Sequence, residues 1–458
     1  MLTTIIIVVV IYFLAMLGIG WYGRRYSESF DSYLSMGKSG GVLLLMGGTI
    51  GANIGNGFVV GGAGAGATQG LAGSAYGIAC AVTALVAVFL CDLIYKNNYQ
   101  SLADFTRERY HSEIPGVIYD ISTACASIGL LAGQLMAGKA LFEALGLPGV
   151  VGVVSIAVVV FLYSQLAGLW GAFATSVVQT AVIAAGLLLT VVVLLNEGAI
   201  DTIKVAQEAG TATPGALDFS GTTPAAFIAM ALPVVLGMTT DQNIFTRVSS
   251  AKSASTAKVA HFLSFIIMIP LAIMPAFIGV YGNTVFGAEG DSAFFTVIMN
   301  ELPAIVCAII IAAVLAAVMS TIDCVFIVMS TVVTKDILIG TMHKQYSEKQ
   351  LSKMTLALNV AIMVGGVALA LNAGSILDML NAFYSFLAAA CFIPFIGGLL
   401  WKGGSGKGAI AASIVGIIVV VLGWLGVSLP SWGGFFPCVP AAIAFVIVSL
   451  IAPDKKEA

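Results

Sequence analysis

Charged and metal-binding residues are scarce in this sequence. Lysine, arginine, aspartate and glutamate together make up 9% of the 458 residues, and there are three histidines. The seven cysteines are scattered through apolar segments without a CxxC pair, and the histidines have no metal-ligand spacing. The sequence therefore predicts neither disulfides nor a transition-metal site. A GxxxxGK[ST] nucleotide motif is also missing, which disfavours an ATP-driven protein.

Hydrophobic residues are abundant instead, at 59% of the chain. This composition predicts an all-α integral membrane protein, because an apolar helix of about 20 residues crosses the bilayer. The first apolar segment lacks a basic n-region and a small-residue cleavage site, so we expect a retained span and not a signal peptide. Apolar runs separated by polar breaks predict thirteen transmembrane helices, at 2–23, 42–68, 72–94, 115–145, 149–167, 170–196, 224–246, 259–283, 303–334, 354–372, 376–400, 408–428 and 433–452.

The basic residues are distributed unevenly among the loops. An odd number of spans puts the two termini on opposite sides of the membrane. If the N-terminus is outside, 17 of the 19 lysines and arginines fall on the inner side, and only Lys139 and Lys204 do not. Since cytoplasmic loops are enriched in lysine and arginine, the sequence predicts an outer N-terminus and an inner C-terminus. Topology explains these basic residues without a nucleic-acid partner.

The stretch 47–76 is unusual for a membrane helix. It reads GGTIGANIGNGFVVGGAGAGATQGLAGSAY, which is apolar but rich in glycine around two asparagines. A bilayer penalises unpaired backbone polar groups, so a loosened helix at this depth needs protein neighbours or a filled cavity. Two interpretations follow. Either Gly47, Gly51 and Gly55 form a face for close helix packing, or the helix is broken and lines a site for an ion or a solute.

A second interrupted helix is expected five spans later. The seventh span contains Pro233 and Gly237, followed by the polar run TTDQN at 239–243. Interrupted helices at corresponding positions of two halves are typical of inverted-repeat transporters, whose site lies at the midplane. We therefore expect a 5+5 inverted repeat with discontinuous helices. Its divisions are a first helix and inner loop (1–41), a first repeat (42–196), an outer loop (197–223), a second repeat (224–400) and two C-terminal helices with a short tail (401–458).

The ninth span contains the segment AAVMSTIDC at 316–324. On a helix, Ala317, Ser320, Thr321 and Cys324 share one face. A small residue beside two hydroxyls gives a narrow, uncharged, oxygen-bearing surface suited to a monovalent cation, with further ligands from carbonyls where span 2 unwinds. The alternative is that both hydroxyls bond back to carbonyls of the preceding turn.

Three segments of the chain carry a family pattern. They are IAAVLAAVMSTIDCVFIVMSTVVTKDI at 311–337, AGLWGAFATSVVQ at 167–179 and NIFTRVSSAKSASTA at 243–257. They resemble the signature helix and the GGLxAVxxTDxxQ and QRxxxAKSxxxA segments of the sodium/solute symporter family, whose members include bacterial proline, pantothenate and sugar carriers. The resemblance extends over nearly the whole chain. It implies a leucine-transporter-type core with thirteen spans in the cytoplasmic membrane of a bacterium.

The resemblance also implies a sodium site made of three carbonyls and two hydroxyls, from Gly51, Ile54, Ala317, Ser320 and Thr321. Ser176 stands where the family often has aspartate, so the second sodium site that some members build is not expected. Asp323 is a possible substitute, although it lies on a different helical face from Ser320. We expect one coupling sodium ion.

The solute is expected beside the sodium site, between the interrupted parts of spans 2 and 7. A sugar is disfavoured, because Gly57 and Phe58 replace polar residues of the sugar carriers. Asp241 is the sharpest polar signal, since a buried carboxylate is costly. Three interpretations of Asp241 are open. It could bind an ammonium group of the solute, it could pair with Arg247, or it could be exposed in an inner vestibule. The candidate solute contacts are Asn56, Phe58, Gln69, Met238, Thr239, Asp241, Gln242 and Tyr384.

These features predict sodium-coupled symport of a small organic solute into the cell by alternating access. Proton-coupled transport or uniport on the same fold is an alternative, with Asp241 or Asp323 titrating. A membrane solute sensor is a further alternative, although the chain has no soluble output domain. No nucleophile, base and acid set suggests an enzyme. The implied partners are sodium, the solute and membrane lipid, with no obligate protein partner and no nucleic acid.

Overall fold

The computed structural model describes residues 2–23, 38–341, 346–428, 430 and 435–454. Nearly all regular structure in these ranges is helical. The first nine helices are α1 (Leu2–Gly23), α2 (Val42–Asn53), α3 (Gly62–Gln69), α4 (Ala75–Lys96), α5 (Leu102–Tyr110), α6 (Glu113–Ala144), α7 (Gly149–Asn196), α8 (Ala199–Glu208) and α9 (Pro224–Thr239). The next nine are α10 (Gln242–Ser249), α11 (Ala254–Phe286), α12 (Ala293–Glu301), α13 (Ala304–Ser330), α14 (Glu348–Asn372), α15 (Ile376–Leu387), α16 (Ile393–Leu400), α17 (Gly406–Trp424) and α18 (Cys438–Ile451).

Each of the thirteen expected spans corresponds to an apolar helix or helix pair in the described ranges. Eight helices are long and apolar enough to cross a bilayer. One further span is the pair α9 and α10, whose axes differ by 47°. Four shorter apolar helices lie within other expected spans, at Thr3–Ala15, Val42–Asn53, Gly149–Leu162 and Cys438–Ile451. The all-helical membrane architecture expected from the sequence is therefore confirmed.

Spans 5 and 6 differ from expectation at their boundary. The sequence places a break at 168–169, whereas the helical backbone of α7 is continuous there. Ser164 donates a hydrogen bond to Asp323, and the hydroxyls of Ser176 and Ser320 lie 2.6 Å apart. The partners of these two serines are neighbours on α13. One helix therefore supplies both expected spans.

Helix α13 lies at the centre of the packed helices. Every residue from Ile310 to Ser330 is buried except Thr321, which is half-buried. A helix that is apolar on all sides is expected in the core. The partial exposure of Thr321 arises because it borders the internal cavity described below. The residues expected to bind sodium in span 9 are thus held on a rigid, enclosed element.

Helices α2 and α7 approach each other unusually closely. A Cβ atom on Gly47 would lie 2.9 Å from the Cα atom of Val177, and one on Gly51 would lie 2.7 Å from the Cβ atom of Ser176. Only glycine permits this contact between the two backbones. The packing interpretation of the glycine-rich stretch therefore holds for Gly47 and Gly51. It does not exclude a break, which follows a few residues later.

Candidate functional site

Helix α2 ends in the middle of its span. Ile54, which follows its last residue, has φ −82° and ψ 64°, outside the helical region. The chain resumes as a wide turn at Gly57–Gly61 and continues as α3. The N–H groups of Phe58 and Val59 both donate to the carbonyl oxygen of Gly55, at 3.2 and 3.3 Å. The regular helical hydrogen bonding is therefore interrupted where the glycine-rich sequence predicts it.

The interruption lies directly against two hydroxyls of α13. A Cβ atom on Gly51 would lie 3.1 Å from Oγ of Ser320, and one on Gly55 would lie 3.0 Å from Oγ1 of Thr321. Thr321 in turn donates a hydrogen bond of 3.0 Å to the carbonyl of Ala317. The structure thus brings the break of α2 next to the residues of α13 that the sequence nominates for sodium. We refer to Ala317, Ser320 and Thr321 as the hydroxyl face, because two of the three carry hydroxyl groups.

The chemistry of this donor set suits a small hard cation. Carbonyl and hydroxyl oxygens are neutral ligands, and a Group 1 or Group 2 ion prefers oxygen to nitrogen or sulfur. The back-bonding alternative holds for Thr321, whose hydroxyl bonds the preceding turn. It does not hold for Ser320, whose hydroxyl lies 2.6 Å from that of Ser176 on another helix. The Ser320 hydroxyl is therefore held by tertiary contact at the break.

A second break separates α9 from α10. Asp241 caps the N-terminus of α10, and its Oδ1 accepts hydrogen bonds from the backbone N–H and side-chain amide of Asn243, at 2.8 and 2.9 Å. The hydroxyl of Tyr119 donates to the carbonyl of Thr240 at 3.0 Å. The amide of Gln242 donates to the carbonyl of Gln100 at 2.5 Å. Neighbouring elements thus satisfy the polar groups that the break releases, as burial in a membrane protein requires.

An internal cavity lies between the two breaks. Helices α2, α4, α6, α10, α13 and α15 all contribute to its lining. The polar groups that border it include Asn53, Tyr76, Gln134, Asp241, Arg247, Thr321 and Tyr384. The hydroxyl face therefore meets the cavity at Thr321, which places this nominated ion ligand next to an enclosed polar space of about 30 Å³.

The cavity is closed on the side of Gly57. A Cβ atom at Gly57 would lie 2.2 Å from Cδ1 of Leu380 and 3.2 Å from the ring of Tyr76. The rings of Tyr76 and Tyr384 have centroids 6.5 Å apart. Apolar and aromatic side chains of α4 and α15 thus meet over the wide turn, with glycine leaving room for them.

The structure separates the eight candidate solute contacts into two groups. Met238, Asp241 and Tyr384 line the cavity. The other five do not contribute to its lining: Asn56 and Phe58 are buried behind the break, Thr239 bonds the carbonyl of Val235, Gln242 bonds the loop at Gln100, and Gln69 lies at the end of α3. A role in solute binding stays a prediction for all eight.

Asp241 and Arg247 both border the cavity without forming a direct ion pair. The ion pairs in the described part of the chain join Arg107 to Glu113 and Asp120, and Lys258 to Asp92. Arg247 is buried, and none of the described residues forms a hydrogen bond with its Nε or Nη2 atom. Its positive charge still acts on Asp241 at longer range. The pairing alternative for Asp241 is therefore limited to this longer-range attraction.

Sequence reasoning did not nominate several residues that border the cavity, among them Tyr76 and Gln134. Tyr76 follows a glycine-rich segment and looks like an interfacial aromatic residue. Gln134 stands alone among apolar residues in the middle of α6. An isolated amide in a membrane span is a signal of function, but nothing in the sequence indicates which helix it faces.

Comparisons with known proteins identify the family of the chain. The model of the sodium:solute symporter family matches residues 33–416. The osmoregulated proline transporter OpuE of Bacillus subtilis is 26% identical over 99% of this chain and 96% of its own length. The sodium/proline symporter of Escherichia coli is 25% identical over 100% and 95%, and its sodium/pantothenate symporter 24% identical over 98% and 95%.

Solved structures also resemble the chain. A Na⁺-coupled sialic acid symporter has a TM-score of 0.81 at 18% identity and covers 99% of both chains. Mhp1, a nucleobase-cation-symport-1 family transporter, has a TM-score of 0.56 at 15% identity and covers 91% of this chain and 92% of its own. These likenesses confirm the leucine-transporter-type fold. The members of the sodium:solute symporter family are transporters and not enzymes. Because the family model matches most of the chain, we conclude that the chain belongs to this family.

Proposed function

We propose that this protein carries a small organic solute into the cell together with one sodium ion, by alternating access. The observation that carries the proposal is the position of the α2 break, which lies against Ser320 and Thr321 beside the cavity. Membership of a sodium-coupled solute symporter family supports the same function. A broken helix that joins an ion site to a solute cavity is what coupled transport requires.

In this proposal, sodium is bound by the hydroxyls of Ser320 and Thr321 and by carbonyls of Gly51, Ile54 and Ala317. The contacts of Gly51 with Ser320 and of Gly55 with Thr321 support this set. Ser176 supplies a hydroxyl to Ser320 where the family often has a carboxylate, which supports a single sodium ion. Binding of sodium and of solute must strengthen each other, because coupling between two sites is reciprocal.

One sodium ion provides enough driving force. Crossing about 100 mV supplies about 2.3 kcal/mol, and a tenfold sodium gradient adds about 1.4 kcal/mol. Together they sustain accumulation of a neutral solute by a few hundred-fold, at about 1.4 kcal/mol for each factor of ten. The relatives named for proline and pantothenate support a small polar solute, and the Asp241 carboxylate supports one that bears an ammonium group.

We place the protein in the cytoplasmic membrane of a bacterium, with its N-terminus outside and its C-terminus inside. The bacterial relatives and the 17 of 19 basic residues on one side support this placement. Residues 42–196 and 224–400 are the two inverted repeats in this proposal. The occurrence of a helix break in each of them supports the division.

A proton-coupled carrier is the second candidate, and a specific observation favours it. Asp323 is a buried carboxylate in α13 that accepts a hydrogen bond from Ser164. Buried carboxylates in membrane helices often relay protons. In this case transport would be independent of sodium and would depend on Asp323 or Asp241.

The test is the thermal stability of the purified protein in sodium and in potassium at equal ionic strength. We expect sodium to raise the melting temperature, because a ligand that binds only the folded state stabilises it, by about 2.7 kcal/mol at one hundred times its Kd. The double variant Ser320→Ala with Thr321→Ala should lose this difference, since it removes both hydroxyl ligands.

A matched control lies at the C-terminal end of α13. Ser330 and Thr331 also form an adjacent hydroxyl pair, and both bond to carbonyls four residues earlier, at 2.6 and 3.0 Å. Ser330→Ala with Thr331→Ala should keep the sodium effect. A wild-type protein with equal stability in both salts would contradict the sodium proposal and favour the proton-coupled candidate.

A further inference from the structure

Gln134 is a buried amide that faces both the α2 break and the cavity. Its residue is 3% exposed, and it lines the cavity in the middle of α6. Its neighbours along the chain are Gly133 and Leu135, which offer no polar side chain. Its hydrogen bonds must therefore come from other helices, since an unpaired buried amide is costly.

The side chain of Gln134 holds Asn56, the residue that precedes the wide turn after the break. Oε1 of Gln134 accepts a hydrogen bond of 2.9 Å from the backbone N–H of Asn56. The side-chain amide of Asn56 donates to the carbonyl of the adjacent Gly133, also at 2.9 Å. Two bonds thus fix Asn56 to one point on α6. Without Gln134, the backbone N–H of Asn56 would lose its acceptor in a water-poor environment.

The same amide lies beside the hydroxyl face. The position of a Cβ atom on Gly55 would be 2.8 Å from Oε1 and 3.1 Å from Nε2 of Gln134, and 3.0 Å from Oγ1 of Thr321. One glycine therefore separates the Gln134 amide from a nominated sodium ligand. Gln134 borders the ion site on one side and the cavity on the other.

We propose that Gln134 is a positioning residue that links sodium binding to the solute cavity. The proposal rests on the proposed sodium-coupled function. Its side-chain carbonyl fixes the turn after Gly55, and so orients the backbone carbonyls of the broken helix towards the ion. The same residue lines the cavity, so that solute contact and ion-site geometry depend on one side chain.

The experiment measures the sodium concentration that gives half of the maximal thermal stabilisation, with sodium chloride alone as the probe. Gln134→Met keeps the length of the side chain but removes the acceptor, and should raise this concentration about tenfold, the effect of one lost buried hydrogen bond. Gln134→Glu retains acceptor oxygens at the same reach. It should require no more sodium than the wild type.

Two further variants make the result decisive. Gln134→Asn keeps an amide but is one methylene too short to reach Asn56, so it should weaken sodium binding like Gln134→Met and replaces that variant if it does not fold. Thr190→Val removes a buried hydroxyl that bonds only within its own helix, to Gly186 at 2.8 Å. It should leave the sodium requirement unchanged.

The possible outcomes separate the two proposals. A sodium effect in the wild type that is unaltered in both Gln134→Met and Gln134→Asn overturns the role of Gln134 and leaves the sodium site intact. Equal weakening in Gln134→Glu and Gln134→Met also overturns it, because that pattern indicates packing alone. Absence of any sodium effect in the wild type overturns the sodium site, and this inference with it.

Discussion

Asp291 lies in a loop that contacts both α15 and α3. Its Oδ2 accepts a hydrogen bond of 3.0 Å from the backbone N–H of Ile376, the first residue of α15. A Cβ atom on Gly64 of α3 would lie 3.1 Å from the backbone nitrogen of Asp291. The charged groups that face it are Asp378 of α15 and Lys139 and Glu143 of α6. Burial is the largest effect on this carboxyl and raises its pKa to about 6.

We expect this residue to make stability depend on pH. An unfolded aspartate has a pKa of about 3.9, so between the two values the folded state binds the proton more tightly. The stabilisation is complete below about pH 4 and is lost as the pH rises through about 6. The melting temperature should therefore fall between pH 5 and pH 7.5. Asp291→Asn keeps a carbonyl acceptor but cannot ionise, and should show a smaller fall.

A second aspartate in a loop provides the comparison. Asp218 is exposed, and its hydrogen bond to Ser220 lowers its pKa from the usual value, so it does not titrate between pH 5 and pH 7.5. Asp218→Asn should retain the full wild-type fall. If Asp291→Asn retains it too, other groups cause the pH dependence.

At the scale of helices, α3 and α11 pack backbone against backbone. A Cβ atom on Gly66 would lie 2.2 Å from the carbonyl oxygen of Ala276, and one on Gly279 would lie 1.8 Å from that of Ala63. Small residues allow such close approach between membrane helices. The half-helix after the break is therefore anchored to α11 by contacts that leave no room for a methyl group.

Substitution of two glycines on α3 tests this packing. Gly66→Ala forces the helices apart and should destabilise the protein by about 1–3 kcal/mol, as overpacking usually does. A Cβ atom on Gly62 would meet its nearest side chain at an ordinary 3.5 Å. Gly62→Ala should be neutral or slightly stabilising, because alanine favours helix by up to about 1 kcal/mol. Equal melting temperatures for the two variants would contradict the packing argument.

Sequence patterns predicted these elements unevenly. The glycines in α2 and the polar run after Pro233 indicate the two breaks. Glycine disfavours a helix, proline lacks a backbone N–H group, and short polar side chains compete for the helical hydrogen bonds. The bond from Asn56 to Gln134 joins residues 78 positions apart, and local pattern contains no information about such pairs. The gap that the sequence predicts at 168–169 lies within the helical range of α7, because the apolar residues there continue without a polar break.

At the scale of the whole molecule, the charge distribution predicts which ends of the helices face the cytoplasm. The loop at Thr211 should be outside, and the start of α14 at Lys349 should be inside. Both side chains are exposed. Single cysteines at these positions, in a background with the exposed Cys125 replaced by serine, should react differently with a membrane-impermeant thiol reagent applied to intact cells.

Thr211→Cys should be labelled in intact cells, and Lys349→Cys only after the membrane is permeabilised. The Cys125→Ser background without a new cysteine gives the baseline, because the other native cysteines among the described residues are buried. The reverse labelling pattern would invert the topology. It would leave the fold and the candidate site unchanged, since neither depends on which side of the membrane is outside.

The closure over Gly57 has a consequence for the setting in which the protein works. Leu380, Tyr76 and Tyr384 meet there through neutral side chains, and contacts of this kind gain their free energy by removing apolar surface from water. Dissolved ions screen charges, but they have no charge to screen in this contact. In the proposed function, a change in external salinity acts on transport through occupation of the ion site, while charge screening leaves this contact nearly unchanged.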